Sequence, residues 1–301
     1  MIASDIPNPE KRRRACRRLA ATLAAAGALA LPLAVAQPAF AVPGGLQYAH
    51  AQSANDSPSS KFIQASCPTG TVALGGSALI AGTSNARINY AYPSANGYVV
   101  TAVEPRGGLT ENWQLFVNAI CALPPPGLEY RTTSSVSDSA SSHAVTTACS
   151  PGKKVIGMGG GVDTAGGVIS FSDIVLTAVR SQSTLDSVTA AGSEDQLGSP
   201  GSWDVSATAV CANPVAGLTI APGQSTNSSA SHQTATAVCP TGTKVHSGGF
   251  VAVGAGGEAD VSSFHFSTDG TGVQGLQIDG QEDRDGFAGN WNVLSQAICA
   301  S

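Results

Sequence analysis

The residues in this chain with the widest chemical repertoire are its five histidines. His143 and His232 each lie shortly before a cysteine, in places that look equivalent, where an earlier copy of the pattern has Lys61. His246 and His265 have no counterparts, and neither do the nearby Glu258 and Asp260. A histidine beside a carboxylate is a minimal acid–base pair, so these four unrepeated groups are where a hydrolytic centre would sit. Neither a G-x-S-x-G nucleophile elbow nor an H-E-x-x-H zinc motif accompanies them. The many serines fall in low-complexity patches that read as solvated turns. No catalytic, cofactor-binding or metal-binding residue is assigned.

Carboxylates form the second group. Glu104, Glu194 and Glu282 each precede a tryptophan by nine residues, and Gly108, Gly198 and Gly286 precede it by five. The third of these loops is the most acidic and adds Asp283 and Asp285. A calcium loop in that register would require a bidentate Glu where Asn292 stands, so no metal is assigned. Two readings remain for the five carboxylates. They form ligand loops, or each glutamate accepts backbone N–H bonds and holds its loop. The constant spacing suggests a fixed hairpin connection.

Thiol oxidation is the third chemistry. Of seven cysteines, Cys16 lies in the N-terminal segment. The other six, Cys67, Cys121, Cys149, Cys211, Cys239 and Cys299, come two to a repeat, an even count that reads as a disulfide framework. Zinc would want C-x2-C pairs or close histidines. Threefold repetition leaves two simple pairings. Bonds close within repeats (67–121, 149–211, 239–299), or each final cysteine joins the next repeat (121–149, 211–239, 299–67). The within-repeat pattern is favoured because it makes every unit self-sufficient. Each such bond closes a loop worth roughly 4 kcal/mol in the chain-entropy model.

These groups are carried by a strand that occurs three times: WQLFVNAICA from Trp113, WDVSATAVCA from Trp203 and WNVLSQAICA from Trp291. Each copy holds one of the three tryptophans and places a cysteine eight residues later. Period-two alternation puts Trp113, Leu115, Val117, Ala119 and Cys121 on one face, the pattern of a half-buried β-strand. Trp113, Trp203 and Trp291 are therefore expected core anchors. Each unit also begins with a glycine 22 residues before its first cysteine, at Gly45, Gly127 and Gly217. A serine-rich patch follows, then a Pro-x-Gly or Pro-Gly turn after the cysteine. Glycine pairs or triplets at Gly75, Gly159 and Gly248 suggest a bulge or a close backbone approach. The middle of each unit, with strands such as 88–92 and 98–103, is the least alike.

The repeats run over about 43–124, 125–214 and 215–301. No helical period is present. The expected fold is all-β: three homologous repeats of about 85 residues, packed as tandem sandwiches or as a pseudo-threefold prism. Ahead of them, Lys11 to Arg18 are basic, Leu19 to Ala36 are apolar, and Ala39-Phe40-Ala41 is a small-x-small triplet. That order is the pattern of a secretory signal peptide over residues 1–41. It contains six of the 15 basic and two of the 20 acidic residues, which leaves nine basic against 18 acidic. Such a surface argues against nucleic acid or anionic membranes as partners.

The combination of a G-[LY]-x-[YV] start, a serine-rich patch, C-P-x-G, a G-G pair and W-x7-C resembles repeats in secreted proteins of actinobacteria. The resemblance implies export and an all-β repeat, and no activity. The expected function is a secreted, non-enzymatic protein of the cell surface or matrix. It would be structural, or a multivalent binder of a glycan, cell-wall or extracellular protein ligand through its repeated loops. The alternative is a secreted hydrolase with its site in the third repeat or between repeats. A secreted protease inhibitor is a third reading.

Overall fold

A computed structural model describes residues 45–83, 85–164, 173–268 and 273–301. The segment read as a signal peptide lies outside them. Regular structure among the described residues is entirely β, in eighteen strands, six from each repeat. The first repeat supplies β1 (Gln47–Gln52), β2 (Ser60–Ser66), β3 (Val72–Ala81), β4 (Arg87–Ser94), β5 (Gly97–Val103) and β6 (Gln114–Ala122). The second supplies β7 (Glu129–Ser134), β8 (Ser142–Ala148), β9 (Lys154–Thr164), β10 (Ile174–Ser181), β11 (Ser187–Glu194) and β12 (Trp203–Ala212). The third supplies β13 (Thr219–Gln224), β14 (His232–Val238), β15 (Lys244–Val253), β16 (Ala259–Thr268), β17 (Val273–Glu282) and β18 (Asn292–Ala300).

No repeat completes a sheet by itself. Sheet I has the order β1-β6-β3-β16-β17-β14, sheet II β2-β5-β4-β9-β12-β7, and sheet III β13-β18-β15-β10-β11-β8. Every sheet thus joins half of one repeat to half of another, in a cycle. The arrangement is a pseudo-threefold prism with exchanged halves, not a row of sandwiches. The seams are short: Tyr90 and Ala91 pair with Gly161 and Gly160, Ala178 and Val179 with Val251 and Phe250, and Ser263 and Phe264 with Leu79 and Ala78.

The exchange corrects one expectation. The loop from Glu104 to Trp113 is no hairpin, because β5 lies in sheet II and β6 in sheet I. It carries the chain from one sheet to the next. It also changes the meaning of the disulfides, which pair as expected: Cys67–Cys121, Cys149–Cys211 and Cys239–Cys299. Each first cysteine follows the second strand of its repeat and each last cysteine lies on the Trp strand. The three bonds therefore tie sheet II to I, III to II and I to III. They close the prism rather than making each repeat self-sufficient.

Alternation along the Trp strand is observed as read: Trp113, Leu115, Val117, Ala119 and Cys121 are all buried, and so are Trp203 and Trp291. The turn after the first cysteine is present in every copy, with Gly70, Gly152 and Gly242 at positive φ. On the axis the third strands of the repeats (β3, β9, β15) each carry a bulge and then a small residue: Gly75, Gly157 and Ser247. A Cβ on Gly75 would lie 2.6 Å from the Ser247 Cα, and one on Gly157 would lie 1.9 Å from the Leu74 carbonyl oxygen. At the third position the Ser247 hydroxyl accepts the Met158 N–H at 3.0 Å. The glycines are there because three backbones converge.

Candidate functional site

Each tryptophan anchors the loop that leads into it. Glu104 accepts the Trp113 indole N–H at 3.0 Å through one oxygen and the Leu109 backbone N–H at 3.0 Å through the other. Glu282 does the same with Trp291 and Phe287, and Glu194 accepts from Trp203 at 3.1 Å. The three repeated carboxylates are thus engaged inside their own loops. Two of the indoles are also met by equivalent residues of the second strand. The Lys61 ammonium lies 4.7 Å above the Trp113 ring, and His143 packs edge-on to Trp203 at 4.4 Å. In strand register the third member is Gln233, not His232, because Lys61, His143 and Gln233 pair with Ala102, Gly192 and Gly280. His232 is one residue earlier and exposed. The cysteine spacing agrees, six residues back to Lys61, His143 and Gln233, so His232 is not the counterpart of His143.

The loops meet at one end of the prism and link hand to hand. Arg106 of the first donates to the Gly198 carbonyl of the second at 3.3 Å. Gln196 of the second donates to the Asp285 carboxylate of the third, and Arg284 of the third donates to the Gly108 carbonyl of the first at 3.0 Å. In each loop the reaching side chain stands two residues after the repeated glutamate. The ring that results is one structure, and Asp283 and Asp285 belong to it. Arg106 also pairs with Asp173 of the second repeat.

Inside the ring is a cavity of 390 Å³ whose wall includes Arg87, Asp173, Asp195, Asp283, Arg284 and Asp285. Arg87 and Asp260 occupy equivalent places, opposite Val103 and Gln281, each one residue before a repeated glutamate. Both are buried, with Arg87 Nε 3.9 Å from an Asp260 oxygen. Burial pushes Asp260 up to about 7, against the pull of Arg87. Burial and the charges of Asp285 and Glu258 push Asp283 up to about 6. Asp195 and Glu258 are raised as well, first by burial and then by neighbouring carboxylates. No group of His, Cys, Asp and Glu among the described residues is arranged to hold a metal ion.

The four unrepeated groups do not converge. Glu258 and Asp260 belong to the ring end. His265 lies on sheet I, its Nδ1 3.4 Å from Asp279, whose carboxylate also accepts from Ser263 and Thr234. His246 occupies the bulge of β15, where the first two repeats have Leu74 and Ile156. Its Nδ1 is buried without a partner, and burial lowers its pKa to about 4.

A further surface had no signal in the repeats. On the outer face of sheet II, Phe62, Thr101, Tyr90, Gly161 and Ser206 lie in one row across the strands. Val99, Tyr92, Thr208 and Thr132 form the next. Tyr90 lies over Gly161, where a Cβ would be 2.4 Å from its ring, and Tyr92 lies over Gly159. The glycines therefore let the Tyr90 ring lie on Gly161 and the Tyr92 backbone come close to Gly159, and the two rings meet edge-on with centroids 5.4 Å apart. The Tyr90 hydroxyl donates to Asp163 at 2.8 Å and bonds Ser206 at 2.7 Å, which holds its ring in place. Phe62 stands beside them, 64% exposed, at a depression of 360 Å³ fringed by threonine and serine hydroxyls. At corresponding places sheet I has Leu79, Ser263 and His265, and sheet III has Val251, Ala178 and Arg180.

Three disulfides mark a chain that matures in an oxidising environment. No helix among the described residues is long and apolar enough to cross a membrane. No protein-family model matches the chain, and no curated protein matches its sequence.

Proposed function

We propose that this is a secreted, non-catalytic binding protein that recognises a glycan of a cell surface or wall through the outer face of sheet II. The observation that carries the reading is the pair Tyr90 and Tyr92. The Tyr90 ring lies over Gly161 and is fixed by hydrogen bonds to Asp163 and Ser206, the Tyr92 ring meets it edge-on at 5.4 Å, and hydroxyls fringe the pair. Sugars present apolar C–H faces rimmed by hydroxyls, and a rigid aromatic platform with short polar side chains complements both at low entropic cost. The signal-peptide pattern and the six paired cysteines support export. Because the other two outer faces carry different side chains and the repeated glutamates are used internally, recognition resides on one face. It is not a sum over three identical loops.

The test is a glycan array together with pull-down on insoluble cell-wall polysaccharides, using the mature chain and its Tyr92→Ala and Phe62→Ala variants. Buried aromatics at binding hot spots contribute more than about 1 kcal/mol, so each substitution should weaken binding by about tenfold with no change in the melting transition. Absence of binding to every glycan, or binding indifferent to both substitutions, would refute the reading.

A further inference from the structure

We propose that the cavity inside the loop ring is a binding site for a small zwitterion bearing a carboxylate and an ammonium group, such as a free amino acid. Arg87 would hold the carboxylate, with Asp195 and Asp283 holding the ammonium. The starting observation is Arg87 itself. It is 4% exposed, it lines the cavity, and its Nε and Nη1 have no hydrogen-bond partner. The facing Asp260 oxygen at 3.9 Å is beyond hydrogen-bond reach. A buried donor left unmet is destabilising until an acceptor arrives, and a carboxylate supplies both an acceptor oxygen and the opposite charge.

The rest of the wall determines what else the ligand must carry. The other two arginines are already engaged, Arg106 by Asp173 and Arg284 by the Gly108 carbonyl. Asp285 accepts from Gln196, and Asp195 and Asp283 each give one oxygen to a backbone N–H, of Leu197 and Gly286; their second oxygens, crowded by like charge, favour a positive group. A simple anion would be repelled by these carboxylates, and a simple cation would leave Arg87 unmet. A neutral sugar would answer neither charge. A dipolar ligand answers both, and the 390 Å³ volume falls in the range of small-molecule sites. The ring closes only when all three repeats contribute, so the site is absent from any single repeat.

This inference uses none of the residues of the glycan face, and either can fail without the other. The experiment is calorimetric titration of the mature chain with the twenty amino acids, with acetate, methylamine and glucose as single-feature probes. At least one amino acid should bind, with acetate, methylamine and glucose each about tenfold weaker or silent. Arg87→Met should abolish binding, and Asp283→Asn should weaken it about fivefold while melting as one transition. If Arg87→Met does not fold, Asp283→Asn and Asp195→Asn decide in its place. Failure of every amino acid to bind, equal binding of a single-feature probe, or affinity unchanged in the folded variants would each overturn the assignment.

Discussion

The Trp113 indole donates its N–H to Glu104, nine residues earlier, across 3.0 Å in the interior of the prism. The other oxygen of the same carboxylate takes the Leu109 N–H. One side chain thus fastens the loop that crosses from sheet II to sheet I onto the core. Glu104→Gln retains one acceptor but turns an NH2 group toward a backbone donor. An unsatisfied buried N–H costs about 1–3 kcal/mol, and we expect a loss of about 2 kcal/mol in urea unfolding. An unchanged midpoint would show that the carboxylate is not what holds the loop.

The ring carboxylates make a second prediction. Asp260 and Asp283 have folded-state pKa values raised to about 7 and about 6. The folded protein therefore holds protons that the unfolded chain releases, and this contribution to stability falls as pH rises from about 4 to 7. His246 acts in the opposite direction: its folded pKa of about 4 means stability is lost as pH falls below about 6.5. Asp283→Asn separates the two. It should raise the melting temperature at pH 7.5, where repulsion from Asp285 and Glu258 is relieved, and leave it nearly unchanged at pH 4.5. Equal shifts at both pH values would mean that Asp283 is not charged against its neighbours.

The strands that repeat were legible because their pattern is local. Trp113 to Cys121 alternates strictly, and the Pro–Gly turns recur at fixed spacing. The sharing of sheets was not legible, because alternation specifies that a strand forms and which face is buried, but not which strand lies beside it. The seams contain only two residue pairs each, such as Tyr90–Gly161 and Ala91–Gly160, too little to leave a pattern. Arg87 and Asp260 are 173 residues apart, and only the closed prism brings them together. The least alike segments, β4, β10 and β16, are those whose outward side chains are free to vary around a common backbone, and Tyr90 and Tyr92 lie on one of them.

The disulfides give a third prediction with two parts. Peptide mapping without reduction should yield 67–121, 149–211 and 239–299 peptides, and a 121–149 peptide would contradict the observed pairing. Because each bond joins two different sheets, removing one opens one edge of the prism and leaves the other two closed. The Cys67→Ala/Cys121→Ala variant should remain a single cooperative unit but lose about 4 kcal/mol, the loop-closure value for a bond spanning 54 residues. Independent melting of one repeat would instead mean that the repeats fold separately.

The sharpest prediction concerns the axis. If the three third strands meet through Gly75, Gly157 and Ser247, a single methyl group at the wrong place must force them apart. A Cβ on Gly157 falls 1.9 Å from the Leu74 carbonyl oxygen, a backbone atom of another repeat that no rotamer change can move. Over-packing a tight core ordinarily costs about 1–3 kcal/mol, and a backbone clash lies at the top of that range. Gly157→Ala should therefore lose about 3 kcal/mol. Gly201→Ala is the control, since a Cβ there meets nothing within 4 Å, and surface substitutions stay within about 0.5 kcal/mol. The contrast distinguishes the prism from any arrangement of separate repeats. In a free repeat Gly157 has no Leu74 against it, so the two variants would then unfold at the same denaturant concentration.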